Sequence, residues 1–207
     1  MKTFFITSLF SFFMLALSAQ NIQLPKPQKS GGKPLMEALN ERQSSRNFMQ
    51  DKSLSMQTLS NLLWAGWGYN RENKRTAPSS RDRQEITIYV FLANGTYRYE
   101  ARKNQLELVV KKDLRKLTGD QDFVALAPLN LVYVADMKKV SGKNKEDALA
   151  AVYANTGFIA QNVYLFCASD NLNCVVRAMI NRNALSKELN LSADDQITLA
   201  QTIGYGK

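Results

Sequence analysis

"ITIYVFLANGTYRYE", residues 86–100, is a pair of β-prone runs hinged on Asn94–Gly95. Ile, Tyr, Val and Phe suit the pleated, half-buried surface of a strand. Asn-Gly between two such runs is a strong hairpin signal, because both residues tolerate the positive φ that a tight turn demands. An antiparallel pair therefore sits near the middle of the 207-residue chain. "LELVV" (106–110) extends it as a third strand, and "LNLVYVA" (129–135) is an apolar run with the length of a buried strand.

Working outward, residues 146–168 (EDALAAVYANTGFIAQNVYLFCA) are free of proline and apolar almost all round, which predicts a central buried helix. "CVVRAMI" (174–180) reads as another buried strand, "NALSKELN" (183–190) as a short helix and "QITLAQTIGYGK" (196–207) as a strand or extended tail. Upstream, Pro34 stands where helices begin, and Leu35, Met36 and Leu39 give that helix a short apolar face. Ser53 or Ser55 caps a second helix, whose Leu59, Leu62, Leu63 and Gly66 follow the spacing of one buried face. Residues 71–85 are a polar loop, and residues 113–117 a short helix. The order mixes helices with a mostly antiparallel sheet, an α+β layout in one domain.

The N-terminus, MKTFFITSLFSFFMLALSAQ, has one lysine, an apolar run over 4–17, and small residues at Ser18 and Ala19. That layout predicts a secretory signal peptide over 1–19. The run is short for a bilayer span, and no basic stop-transfer cluster follows. Residues 20–33 (QNIQLPKPQKSGGK) read as a flexible arm, leaving 34–207 as the folded domain of an exported, periplasmic or envelope protein.

The formal charge is +9, which suits an anionic ligand as well as a simply soluble surface. Nucleic acid is a poor partner for an exported chain lacking the zinc-knuckle and aromatic RNA-binding motifs. The chain has no histidine and two cysteines, Cys167 and Cys174. Ser-His-Asp and Cys-His catalysis are therefore excluded within the chain, and Cys/His zinc sites are disfavoured. What remains is a borrowed cofactor or no catalysis. The cysteines fit a disulfide or free buried thiols.

Four stretches can hold a ligand. In "ERQSSRNF" (41–48), Arg42, Ser44 and Arg46 alternate, so an extended backbone turns all three to one face, and a helical one still pairs the arginines at i, i+4. Guanidinium forks and a hydroxyl match phosphate oxygens, but the spacing alone fits an ordinary solvated surface too. "APSSRDRQE" (77–85) offers Pro78, Ser79, Ser80 and the Gln84 amide in a loop ahead of a strand. The turn at Asp170, Asn171 and Leu172 leaves backbone amides for a ligand, although turning alone accounts for its residues. In "IGYGK" (203–207), glycines flank Tyr205, and Lys207 adds a cation or a frayed end.

Taken in order, the R-x-S-x-R motif, "LLWAGWGYN", "KRTAPSSRDRQE", "APLNLVYVAD", "GFIAQNVYLFCASDNLNCVVRAMI" and "IGYGK" resemble the nitroreductase family, in particular the branch that includes thiazoline/oxazoline peptide dehydrogenases. The resemblance spans residues 34–207. It implies an α/β sandwich around an antiparallel sheet, an intertwined homodimer with FMN at the interface, and residues 146–168 as the central dimer helix. It implies that Arg42, Ser44 and Arg46 grip the FMN phosphate and ribityl chain. Pro78, Ser79 and Ser80 would reach the flavin ring from the partner subunit, with Gln84 as a ring-contacting amide. Asp170, Asn171 and Leu172 would face the N5 edge, and Lys207 stands nearest the place of a basic tail ligand. The implied activity is hydride transfer through flavin N5 from NAD(P)H or another small donor to a small-molecule acceptor, with no catalytic side chain. Azoline oxidation on the same scaffold and a non-catalytic exported flavin-binding module are the alternatives. The chain departs from the common pattern at Gln43, where many relatives carry arginine, at the charged Arg81-Asp82-Arg83, and at Gly206, where many carry proline.

Overall fold

The computed structural model describes residues 20–140, 142 and 144–207; the signal segment expected over 1–19 lies outside the described residues. The expected hairpin is present. β4 (Ile86–Leu92) and β5 (Gly95–Glu100) pair antiparallel across Leu92 and Gly95. β6 (Gln105–Val110) and β7 (Leu129–Asp136) flank them, and the sheet is completed by β1 (Ile22–Gln23), β8 (Leu172–Arg177) and β9 (Asp195–Tyr205). The seven strands run in the order β1-β6-β5-β4-β7-β9-β8, with every neighbouring pair antiparallel.

The period of two sorts the central strands onto two cores. Ile88, Val90, Leu131 and Tyr133 face a core shared with α2 (Met56–Trp67) and α4 (Lys145–Ser169). Phe91, Val132 and Val134 face a smaller core closed by Leu185 of α5 (Arg182–Glu188) and by Leu189 just past its end. Burial on both faces is why β4 and β7 read as nearly continuous apolar runs. The fold is thus a sheet with helices on both sides, as the α+β reading anticipated.

Ser55, rather than Ser53, caps α2 by accepting a hydrogen bond from the Thr58 N–H at 3.0 Å. Leu59, Leu62, Leu63 and Gly66 form its buried face. Gly66 is required there: a Cβ would stand 2.9 Å from Val163 of α4. Within α4 the buried positions include Val152, Asn155, Ile159, Val163 and Cys167, a single stripe. Phe158 on the opposite side is 48% exposed. α1 (Leu35–Glu41) packs on α4 through Ala38, yet Leu35 and Met36 are 63% and 76% exposed. The apolar surround of α4 therefore exceeds what one chain buries.

Four expectations are corrected. The arm over 20–33 is not a flexible linker. β1 pairs with β6, Leu24 is buried, and its N–H donates to Asn104 O at 3.1 Å, because Leu24 adds an apolar side chain to the sheet edge. The polar loop 71–85 contains a small hairpin, β2 (Tyr69–Arg71) with β3 (Lys74–Arg75), and a 3₁₀ turn over Ser80–Asp82. The helix expected over 113–117 is a 3₁₀ turn over Arg115–Thr118, followed by an unanticipated short helix, α3 (Asp122–Leu126). The strand expected over 174–180 begins at Leu172 and ends at Arg177.

Candidate functional site

Arg42 ends α1, its N–H closing the last turn on Ala38 O at 3.0 Å. The chain then runs beside the sheet edge. Ser45 N–H donates to Cys174 O of β8 at 2.9 Å, and Met49 N–H to Tyr205 O at 2.8 Å. Phe48 is buried and bridges Gly206. Arg42 lines a cavity at this edge, whereas Ser44 and Arg46 are not among its lining residues. The Arg42 guanidinium stacks 5.3 Å from the centre of the Tyr164 ring. Ser44 Oγ lies 2.8 Å from Tyr164 Oη, which also accepts the Val176 N–H at 2.8 Å. Arg46 is exposed.

Arg42 lines a cavity of about 490 Å³ together with Glu41, Tyr164, Cys167, Asn171 and Leu172. The α4–β8 turn expected to supply backbone amides is thus in the same hollow as the first arginine. Asn171 takes a left-handed conformation, φ 55°, which asparagine tolerates better than most residues. Cys167 and Cys174 form part of the wall, are buried and are free thiols. Burial, reinforced by Cys174, pushes the Cys167 thiol well above its ordinary pKa, so it is no thiolate nucleophile at neutral pH.

The second expected group lies elsewhere. Ser80 N–H donates to Asn155 Oδ1 at 3.1 Å, in the N-terminal half of α4. At 1.5 Å rise per residue, Asn155 is about 13 Å along the helix from Tyr164. Within one chain, Pro78, Ser79 and Ser80 do not meet Arg42 and Asn171. Gln84 is engaged within the chain: its Oε1 accepts from Arg75 Nε at 3.0 Å and Tyr69 Oη at 3.4 Å, and its Nε2 donates to Asn73 O and Asp82 Oδ1 at 2.7 and 3.1 Å. That uses the full hydrogen-bonding capacity of the amide and ties the loop to the β2–β3 hairpin. Lys207 borders a separate surface hollow with Met49, Gln50, Asp51 and Lys52, not the cavity of Arg42. The close approaches expected of the terminal glycines are present. A Cβ on Gly204 would lie 2.7 Å from the Pro128 ring, and one on Gly206 2.7 Å from the Asn173 amide.

The family model described as the nitroreductase family matches residues 39–205. The chain belongs to the nitroreductase family. It is 42% identical to a provisionally assigned nitroreductase of Ralstonia eutropha JMP134, whose crystal structure superposes with a TM-score of 0.84 and 90% of each chain covered. A provisionally assigned nitroreductase of Methanocaldococcus jannaschii is 27% identical over 165 residues, 74% of this chain and 81% of that protein. An FMN complex of a nitroreductase assignment from Desulfovibrio desulfuricans shares the fold at TM-score 0.62 and 19% identity, covering 85% of this chain and 88% of that one.

Tyr164, Lys33 and the Asn155–Glu85 pair lie outside the four stretches that the sequence offers as ligand sites. In sequence Tyr164 is one apolar position of a long helix, although its hydroxyl meets Ser44 and β8. Lys33 falls in the arm, although it reaches Asn171. Asn155 and Glu85 form a buried pair, Asn155 Nδ2 donating to Glu85 Oε1 at 2.7 Å, while Glu85 Oε2 has no hydrogen-bond partner among the described residues. A polar residue at a core position of α4 is the signal that would have found Asn155.

Proposed function

We propose that this chain is an FMN-dependent oxidoreductase that works as a homodimer, with the cofactor held between Arg42, Ser44, Arg46 and the Asp170–Leu172 turn of one chain and the Pro78–Ser80 loop of the other. The observation that carries this reading is the separation of the two groups along α4, with Leu35 and Met36 of α1 and Phe158 of α4 exposed. A second copy seated there buries those side chains and brings a loop to the cavity. The cavity supports a flavin nucleotide in size and chemistry. About 490 Å³ falls in the range of small-ligand sites, and its wall combines a guanidinium, a tyrosine face and turn amides.

Bound FMN would supply hydride and electron transfer through its N5 edge. Arg42 and Arg46 would hold and orient its phosphate, and Ser44, beside Tyr164 Oη, would add a hydroxyl. The proposed donor is NAD(P)H, and the proposed location is the cell envelope, following the signal segment read over 1–19.

The test is reconstitution. The purified domain, mixed with FMN and passed over a desalting column, is expected to retain a flavin spectrum at one FMN per chain and to sediment as a dimer. A colourless dimer or a colourless monomer overturns the flavin reading. Arg42→Ala is expected to weaken FMN retention by tenfold or more, because a charge-assisted phosphate bond contributes about 1.5–3 kcal/mol. Equilibrium titration of flavin fluorescence reads that loss.

A further inference from the structure

Lys33 ends the arm over 20–33, and its contacts point to the cavity. Its Nζ donates to Glu41 Oε2 at 2.5 Å, to Asn171 Oδ1 at 2.7 Å and to Ala168 O at 3.3 Å. All three acceptor residues line the cavity of Arg42. The Lys33 N–H adds a fourth attachment, donating to Ser169 Oγ at 2.7 Å. An ammonium at the last carbonyls of a helix also meets the negative end of the α4 dipole. The preceding Gly31 and Gly32 have φ of 98° and 79°, and a Cβ on Gly32 would collide with Ser169 Oγ. The Ser-Gly-Gly-Lys run is therefore shaped to bring one lysine onto the end of α4.

We propose that Lys33 is a positioning residue of the candidate site: its ammonium clasps the left-handed α4–β8 turn to the end of α1 and so fixes the cavity wall opposite Arg42. Asn171 holds a left-handed backbone conformation, and Lys33 supplies a hydrogen bond to its side chain in that conformation. Glu41, the residue before Arg42, is held by the same ammonium, so one side chain sets the spacing of the cavity's two sides. The consequence for FMN rests on the flavin reading above; the clasp does not.

The experiment is hydrogen–deuterium exchange on the ligand-free chain, with FMN titration in parallel, for the wild type, Lys33→Met and Ser169→Ala. Lys33→Met is expected to speed exchange over residues 170–172 by about tenfold, the scale of a lost charge-assisted bond. Protection in β7 stays unchanged, which separates a local clasp from general destabilisation. Ser169→Ala, which removes the attachment of the Lys33 backbone, is expected to act at the same residues more weakly. FMN affinity falls about tenfold in Lys33→Met. Unchanged exchange over 170–172 in both variants overturns the clasp whatever FMN does. Faster exchange with no FMN bound to any form upholds the clasp and overturns the flavin reading instead.

Discussion

Trp67→Ala is expected to lower the stability of the chain by about 3–5 kcal/mol, the range for deleting a buried aromatic side chain. Chemical denaturation should show the midpoint falling with an unchanged slope, since the surface exposed on unfolding stays nearly the same. Trp67 is the last residue of α2 and is 2% exposed. Its Nε1–H donates to Ile86 O at 2.8 Å, fastening the helix end to the first residue of β4. Its ring also lies under the Arg75 guanidinium, 4.9 Å from centroid to Cζ. Arg75 in turn donates to Trp67 O at 2.9 Å and to Gln84 Oε1 at 3.0 Å. Removing the indole leaves a cavity, takes the Nε1–H from the Ile86 carbonyl and takes one of two stacked rings from Arg75. Trp67→Phe keeps most of the packing and loses the N–H bond, so it is expected to cost about 1–2 kcal/mol. Equal losses in the two variants would remove the hydrogen bond and the ring volume as separate causes.

The same chain of contacts shows which part of this protein can be read locally. The β4–β5 hairpin, α2 and α4 follow from short-range pattern: Asn-Gly between β-branched runs, a cap and a stripe, a long proline-free apolar stretch. The site's long-range contacts do not. Ser44 meets Tyr164 across 120 positions and Lys33 meets Asn171 across 138. No periodicity reports such pairs, so the arm looked like a linker when its charge and glycines were weighed alone. Gln84 shows the converse. Its position before a strand offers an amide donor and acceptor, whereas Tyr69 and Arg75 occupy its oxygen and Asn73 and Asp82 its N–H groups. Arg177 is the extreme case. It was one letter in a β-prone run, yet it is 6% exposed and is satisfied by Thr118, Asn130 and Thr202. Burial pulls its pKa down to about 10, and no contact of its own segment announced that environment.

The loop that carries Pro78, Ser79 and Ser80 holds Arg81, Asp82 and Gln84 at φ of 55°, 55° and 49°. Left-handed conformations cost about 1–2 kcal/mol each for residues other than glycine, so this loop persists only because its surroundings fix it. Asn155 is the fixed point. It is 3% exposed, accepts the Ser80 N–H and donates to the 1% exposed Glu85. Asn155→Leu is expected to cost about 3 kcal/mol or more, because Glu85 keeps no side-chain donor while it remains buried, and the Ser80 N–H loses its acceptor. The mechanism predicts a sign for the double variant. In Asn155→Leu with Glu85→Leu the carboxylate is gone, and replacing both partners by apolar groups of similar shape is close to neutral. The double variant should therefore be more stable than Asn155→Leu alone, with only the Ser80 N–H left unpaired. A double variant at least as unstable as the sum of the two single changes would rule out the uncompensated carboxylate as the cause. If the stability returns while FMN affinity does not, the relay from Glu85 through Asn155 to Ser80 serves the loop's position at the flavin as well as the fold. Urea denaturation of the four forms, followed by FMN titration of the same samples, reads both quantities.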